Sequence, residues 1–354
     1  MRLSLISDSA AAAAWLLAAA CAAAPAAPAA APATVERRLG LMGTTLELSV
    51  EAPGRAQALA ASETAVRALE DAEARLSTWR PDSELSALNA APVGRPVRLS
   101  PATYGALCDA RAAWIRTGGA FDPSVGALVA AWGLRSGGRV PAAAEREAAL
   151  RGVGLDALRL EAGTATRTRA ELLLEEGGFG KGAGLDRALE ALAATAATRA
   201  LLDLGGQVAV YGRGPFFLAV SDPRERGRPV LRLRIDHGSV ATSGNSEHGF
   251  AVDGARYGHI LDPRSGAPAP DFGSVTVWAP RACWADALAT GYFVLGPEDA
   301  LARAGTDPGC AALFLEVRGA RLRARATSGW QGRVQALVPD VDLEWFDRPP
   351  PTPE

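Results

Sequence analysis

The sequence predicts an α+β fold. Three observations carry that reading: short apolar runs closed by glycine-rich turns, longer stretches with helical spacing of apolar residues, and an order of the two that lacks strict βαβ alternation. At 354 residues the chain can form one large domain or two ordinary ones around a sizeable core. Its formal net charge of −2 gives no support for nucleic acid as the main partner. No internal apolar run approaches the roughly 18 residues of a membrane-spanning helix.

The amino terminus stands apart. Arg2 precedes an Ala- and Leu-rich run, Ala10 to Ala24, and then an Ala/Pro tract to Ala33. Residues 1–33 therefore read as an export signal followed by a linker, although Asp8 weakens the apolar segment. Leu17-Ala-Ala-Ala-Cys21 is similar to a bacterial lipoprotein box with its leucine one place early. A lipid on Cys21 would tether the mature chain to a membrane; without one it is exported and soluble. Residues 34–345 are expected to form the functional domain, and 346–354 a frayed Pro-rich tail. Cys108, Cys283 and Cys310 lack metal-binding spacing and read as small core residues, with one disulfide as the alternative.

Taken in order, Val35 to Glu51 alternates polar and apolar residues and predicts a first strand. Ala56 to Leu76 has helical spacing, with Leu59, Val66, Leu69 and Leu76 on one face and Ser62 and Glu73 interrupting it. Ser77 to Glu84 is a polar loop carrying Trp79, which either plugs a core edge or stacks on a flat ligand. Ser83 to Asn89 is a helical turn and Val97 to Leu99 a short strand. Pro101 to Arg116 predicts a helix with Ser100 as its cap. Thr117 to Gly126 is a glycine-rich turn in which Asp122 offers an acceptor, and a small peripheral helix falls within 140–160.

Leu172 to Leu174 then predicts a strand, the stretch Glu175 to Asp186 a glycine turn with Lys181, and Leu185 to about Ala200 a helix. Such a turn lets backbone N–H groups approach a phosphate. It is neither a P-loop nor a dinucleotide fingerprint, because the spacing differs. A strand and then a turn are expected over Arg199–Val208, a strand ending in the hydroxyl-rich turn Ser239–Asn245, and further strands at Phe216–Val220, Val230–Ile235, Ser274–Trp278, Ala311–Val317, Arg321–Arg325 and Val334–Val338. A helix begins near Cys283, and Asp286 and Thr290 project from one face of it. Their oxygens suit a hard cation such as Mg²⁺, although an Asp in a first turn more often answers the helix dipole. His259 is a candidate proton acceptor against the commoner structural role.

The ordered motifs Met42-Gly-Thr, Ser77-Thr-Trp-Arg-Pro-Asp-Ser-Glu, Gly119-Ala-Phe-Asp122, Gly177-Gly-Phe-Gly-Lys181, Leu204-Gly-Gly206, Ala241-Thr-Ser-Gly244, His259-Ile-Leu-Asp-Pro-Arg-Ser-Gly266 and Ala285-Asp-Ala-Leu-Ala-Thr290 span about residues 40 to 320. In this the sequence resembles the ApbE family, the FAD:protein FMN transferases of bacterial envelopes. The resemblance implies a T-fold type of α+β architecture with mixed sheets and helices, FAD as substrate and Mg²⁺ as cofactor. It implies Asp286, Thr290 and the Gly178 carbonyl as metal ligands. It implies FAD against Met42, Trp79, Ala120, Phe121, Asp122, Glu175, Lys181 and Ile260. Lys181 and Asp286 would serve the chemistry, with His259 as the base. Trp79 stands where relatives have a tyrosine, Glu175 where they have Asp, Glu176 where they have an apolar residue, and Ala289 where some carry a carboxylate.

The expected reaction moves FMN from FAD to a Thr or Ser hydroxyl of an exported target, such as a subunit of a membrane redox complex, in the periplasm or cell envelope. Water as the acceptor would make the chain an FAD pyrophosphatase, and no turnover would make it a flavin-binding or delivery protein.

Overall fold

The computed structural model describes residues 32–245 and 249–346. The expected signal with Cys21, the tail beyond 346 and His248 lie outside them. The chain opens with a hairpin, β1 (Ala33–Leu41) and β2 (Thr44–Ala52), where alternation alone reads one strand. Met42 and Gly43 make its turn with φ of 50° and 70°, the left-handed pair that a two-residue hairpin needs.

Helix α1 (Arg55–Leu76) buries Val66, Leu69 and Leu76 as the spacing predicts, but Leu59 is 49% exposed while Ser62 is fully buried. The Ser62 hydroxyl is satisfied by the Leu59 carbonyl at 2.7 Å, so a small polar residue fits the face where the longer leucine does not. Then follow α2 (Glu84–Ala90), β3 (Val97–Arg98) and α3 (Pro101–Arg116). Ser100 caps α3 by accepting from the Thr103 N–H. After α4 (Gly126–Ala131), α5 (Ala143–Leu150), β4 (Leu158–Glu161) and β5 (Thr164–Arg167), Leu173 alone forms an isolated parallel bridge to Val125 where a strand over 172–174 is expected.

Helix α6 (Gly180–Ala193) starts five residues earlier than its apolar pattern suggests, so Lys181 and two further glycines lie inside its first turns. Next come β6 (Arg199–Leu204), β7 (Gln207–Gly212), β8 (Phe216–Asp222), β9 (Glu225–Ile235) and β10 (Gly238–Gly244). The hairpin β11 (Gly249–Val252) and β12 (Ala255–Gly258), too short to show a period, leads to β13 (Gly273–Ala279). Helices α7 (Ala282–Leu295) and α8 (Pro297–Ala304) precede β14 (Ala311–Arg318), β15 (Arg321–Thr327), β16 (Val334–Ala336) and β17 (Val341–Phe346).

The resulting architecture is α+β. Its centre is a nine-stranded sheet in the order β1-β2-β6-β7-β10-β13-β14-β15-β17. On one face, Leu69 of α1 and Leu185 and Leu192 of α6 pack on Leu46, Leu48 and Leu202. Further along that face, Leu288 and Tyr292 of α7 cover Val275 and Val277. The opposite face packs on the small sheet β16-β9-β8 through Leu233 and Ile235 against Val240, Leu313 and Leu315. Each fully buried leucine contributes about 1.5–3 kcal/mol of hydrophobic stabilisation. This two-sided burial holds the ends of β2, β7 and β10 in fixed positions beside α6 and α7. Cys108, Cys283 and Cys310 are all free thiols, the latter two buried as expected of core residues.

Candidate functional site

The start of α6 meets α7 closely because Gly182 has no side chain. A Cβ there would stand 2.3 Å from the Ala282 carbonyl oxygen. That approach lets the Gly182 N–H donate to Asp286 Oδ2 at 3.0 Å. Lys181 Nζ lies 3.3 Å from Asp286 Oδ1, so an ammonium and a backbone N–H share one carboxylate that is 5% exposed. From the same helix, Asp186 accepts the N–H groups of Ala282 and Cys283 at 2.7 and 3.0 Å and caps the start of α7. Burial pushes the Asp186 carboxyl above the ordinary Asp range against these bonds.

One turn beyond Asp286, Thr290 Oγ1 donates to the Asp286 carbonyl at 3.3 Å. A Cβ on Gly178 would lie 3.2 Å from that hydroxyl, so the Gly178 backbone borders the Asp286–Thr290 face. Among the described residues no group of three or more His, Cys, Asp or Glu is arranged to hold a metal. The donors present are one carboxylate, one hydroxyl and a neighbouring backbone, and the carboxylate already carries a cationic partner, the Lys181 ammonium. An all-oxygen set with few protein ligands fits a magnesium ion that completes its shell with substrate and water.

These groups open into a cleft of about 620 Å³ at one end of the central sheet. Its walls bring together Met42, Trp79, Glu175, Lys181, His259, Ile260, Asp286 and Thr290 from five stretches of chain. The hairpin turn holds Met42 over α6, where its sulfur would be 3.1 Å from a Cβ on Gly184. His259 follows β12 and is half-buried. Asp262 orients this region: both its oxygens serve Arg264, pinning the turn that Gly266 N closes onto the Asp262 carbonyl.

Ala120, Phe121 and Asp122 are not among the lining residues. All three are buried, and a Phe121 ring carbon would be 3.1 Å from a Cβ on Gly178, so Phe121 backs the cation face from behind. Asp122 Oδ1 accepts from Ser124 N and Oγ at 2.8 and 2.5 Å, and Oδ2 from Trp114 Nε1 at 3.0 Å and Leu155 N at 3.2 Å. Those four donors leave the carboxylate no direct capacity for a ligand, and burial raises its pKa.

The sequence reading missed the groups that arrange Glu175. Arg135 Nη2 reaches both Glu175 carboxylate oxygens at 2.7 Å, and its guanidinium lies 4.7 Å from the centre of the Trp79 ring. The Thr78 hydroxyl joins the set, 2.5 Å from Glu176 Oε2 and 3.2 Å from Glu175 Oε1. Burial and then the neighbouring Glu176 charge push the Glu175 carboxyl up, while Arg135 opposes them. Thr242 and Gln207, at the ends of β10 and β7, complete the far wall. Both had a signal nearby: Thr242 lies within the quoted Ala241-Thr-Ser-Gly244 motif, and Gln207 directly follows the Leu204-Gly-Gly206 turn.

The family model that matches this chain is that of the ApbE family, over residues 42–314. A relative from Treponema pallidum named FAD:protein FMN transferase is 35% identical over 311 residues, covering 82% of this chain and 85% of its own. One of the same name from Vibrio cholerae is 32% identical, covering 74% and 81%. Among solved structures, the flavin transferase ApbE from Vibrio cholerae superposes with a TM-score of 0.76 at 28% identity, over 86% of this chain and all of that one. The ApbE protein from Thermotoga maritima superposes at 0.73 with 30% identity, covering 79% and 94%.

Proposed function

The chain belongs to the ApbE family, and on that premise we propose that it is an FAD:protein FMN transferase acting on an exported protein. It takes FAD, transfers FMN to a Thr or Ser hydroxyl of the target and releases AMP. The observation that carries this reading is the meeting of Lys181, the Gly182 N–H and Asp286 at the end of a cleft whose other walls carry Trp79 and His259. A diphosphate needs a cationic partner, and flat rings need an aromatic surface.

Asp286, Thr290 and the Gly178 carbonyl would hold Mg²⁺, which supplies charge neutralisation on the phosphate oxygens when bound. Lys181 is set to pair with a phosphate oxygen, because its side chain is 29% exposed and lines the cleft while its partner is buried. Trp79, 64% exposed, offers the ring surface. His259 accepts the proton of the target hydroxyl as that oxygen attacks the FMN-side phosphorus. The bond from that phosphorus to the bridging oxygen breaks, and AMP departs with the bridge. The expected setting is the periplasm or cell envelope, with the target a subunit of a redox complex.

The deciding experiment incubates the chain with FAD, Mg²⁺ and a flavinylatable partner. Flavin fluorescence that stays with the denatured partner, together with AMP release lost in Asp286→Ala, is the expected result. AMP and FMN released with no labelled partner would make water the acceptor and overturn the transfer reading.

A further inference from the structure

Arg135 sits on the loop after α4, outside every motif quoted from the sequence. Its guanidinium covers one face of Trp79 at 4.7 Å, binds both oxygens of Glu175 at 2.7 Å and donates to the Thr78 carbonyl at 3.1 Å. It also bonds the Thr78 hydroxyl. The loop itself is anchored to the chain that flanks His259. Trp132 is buried against Tyr257 and Phe250 and donates its indole N–H to the Gly266 carbonyl at 2.7 Å. Arg135 and Trp132, three residues apart, together tie the Trp79 loop to the segment that carries His259.

We propose that Arg135 is a positioning residue for the dinucleotide: it fixes the Trp79 ring so that the uncovered face receives a flat ring of FAD. This rests on the reading that FAD is held in the cleft. Trp79 needs such a partner because it is exposed, so packing alone does not choose its rotamer. A planar guanidinium does this where an ammonium does not, since it stacks on the indole and grips a carboxylate at two points. The same contact keeps Glu175 paired.

The test measures FAD binding by flavin fluorescence and steady-state AMP release for wild type, R135A, R135K, W79A and R135A/W79A. R135A is expected to raise both Kd and KM for FAD by about 10-fold with kcat within about twofold, the pattern of lost uniform binding. R135K should recover less than half of that loss on a logarithmic scale. The double variant should bind no more than about twofold worse than W79A, because Arg135 acts through the ring that W79A removes. R135A or R135K binding FAD like wild type overturns this inference and leaves the transferase reading standing, as does a double variant whose losses multiply. A wild-type chain that binds no FAD overturns the transferase reading itself.

Discussion

Gly182→Ala tests whether the contact between α6 and α7 is what builds the site. The added Cβ would meet Ala282 O at 2.3 Å, Ala282 C at 2.6 Å and Cys283 Cα at 2.6 Å, all backbone atoms that no rotamer change can clear. Relieving them requires the helices to part by about 1 Å. Alanine gains about 1 kcal/mol over glycine in a helix interior, while overpacking of this kind costs about 1–3 kcal/mol, leaving a net loss of up to about 2 kcal/mol. For a domain of this size that lowers the melting temperature by a few degrees, about 2–4 °C per kcal/mol. Gly105→Ala in the interior of α3 is the yardstick. Nothing lies within 4 Å of its Cβ, so it should gain stability from propensity alone. The larger effect of G182A falls on chemistry. The Gly182 N–H and Lys181 move together away from Asp286, and a misplacement of about 1 Å costs on the order of 100-fold in rate. Thermal unfolding and AMP release are measured on both variants. A G182A chain as stable as G105A, with undiminished AMP release, would refute the claim that this close approach positions the site.

Asp286→Asn is expected to lower AMP release by about 100-fold and to weaken activation by Mg²⁺, since the one carboxylate of the proposed ligand set is lost; a Mg²⁺ titration with unchanged midpoint and rate would remove Asp286 from that role. His259→Gln should reduce kcat by about 100-fold or more at neutral pH with FAD affinity within a few-fold, and an unaltered kcat assigns the proton elsewhere. Asp186→Asn turns an amide NH₂ toward one of the two N–H groups that Asp186 now accepts, costing about 1–3 kcal/mol at neutral pH. The Asp186 carboxyl is raised by burial, so the folded chain keeps this proton where the unfolded chain has lost it. Its contribution to stability is then greatest at acid pH and fades as pH climbs through the folded value. Denaturation between about pH 4 and 7 should show a wild-type advantage over D186N that shrinks with rising pH. An advantage that grows would contradict the raised carboxyl.

What the sequence made legible was local. Ser100 before Pro101 announces the cap of α3, and Asp286 with Thr290 announces a shared helical face, because both depend on spacing along a few residues. What it hid depends on contacts between distant stretches. Gly180, Gly182 and Gly184 look like a flexible turn because glycine disfavours helices. They lie in one because Met42, Leu69 and the α7 backbone press against that helix, a requirement visible only once α7 is in place. Met42 with positive φ conceals a hairpin turn that an Asn or Asp would have advertised. Asp122 looks like a ligand acceptor, yet Trp114 and Leu155 have claimed its oxygens across 8 and 33 residues. Arg135 reverses that case: 57 residues from Thr78 and 40 from Glu175, it has no motif to mark it, and it is the side chain that holds both. A carboxylate in a family motif is therefore weak evidence for a ligand contact until its hydrogen bonds are counted. A cation outside every quoted motif can matter as much when two of its partners, Trp79 and Glu175, line the cleft.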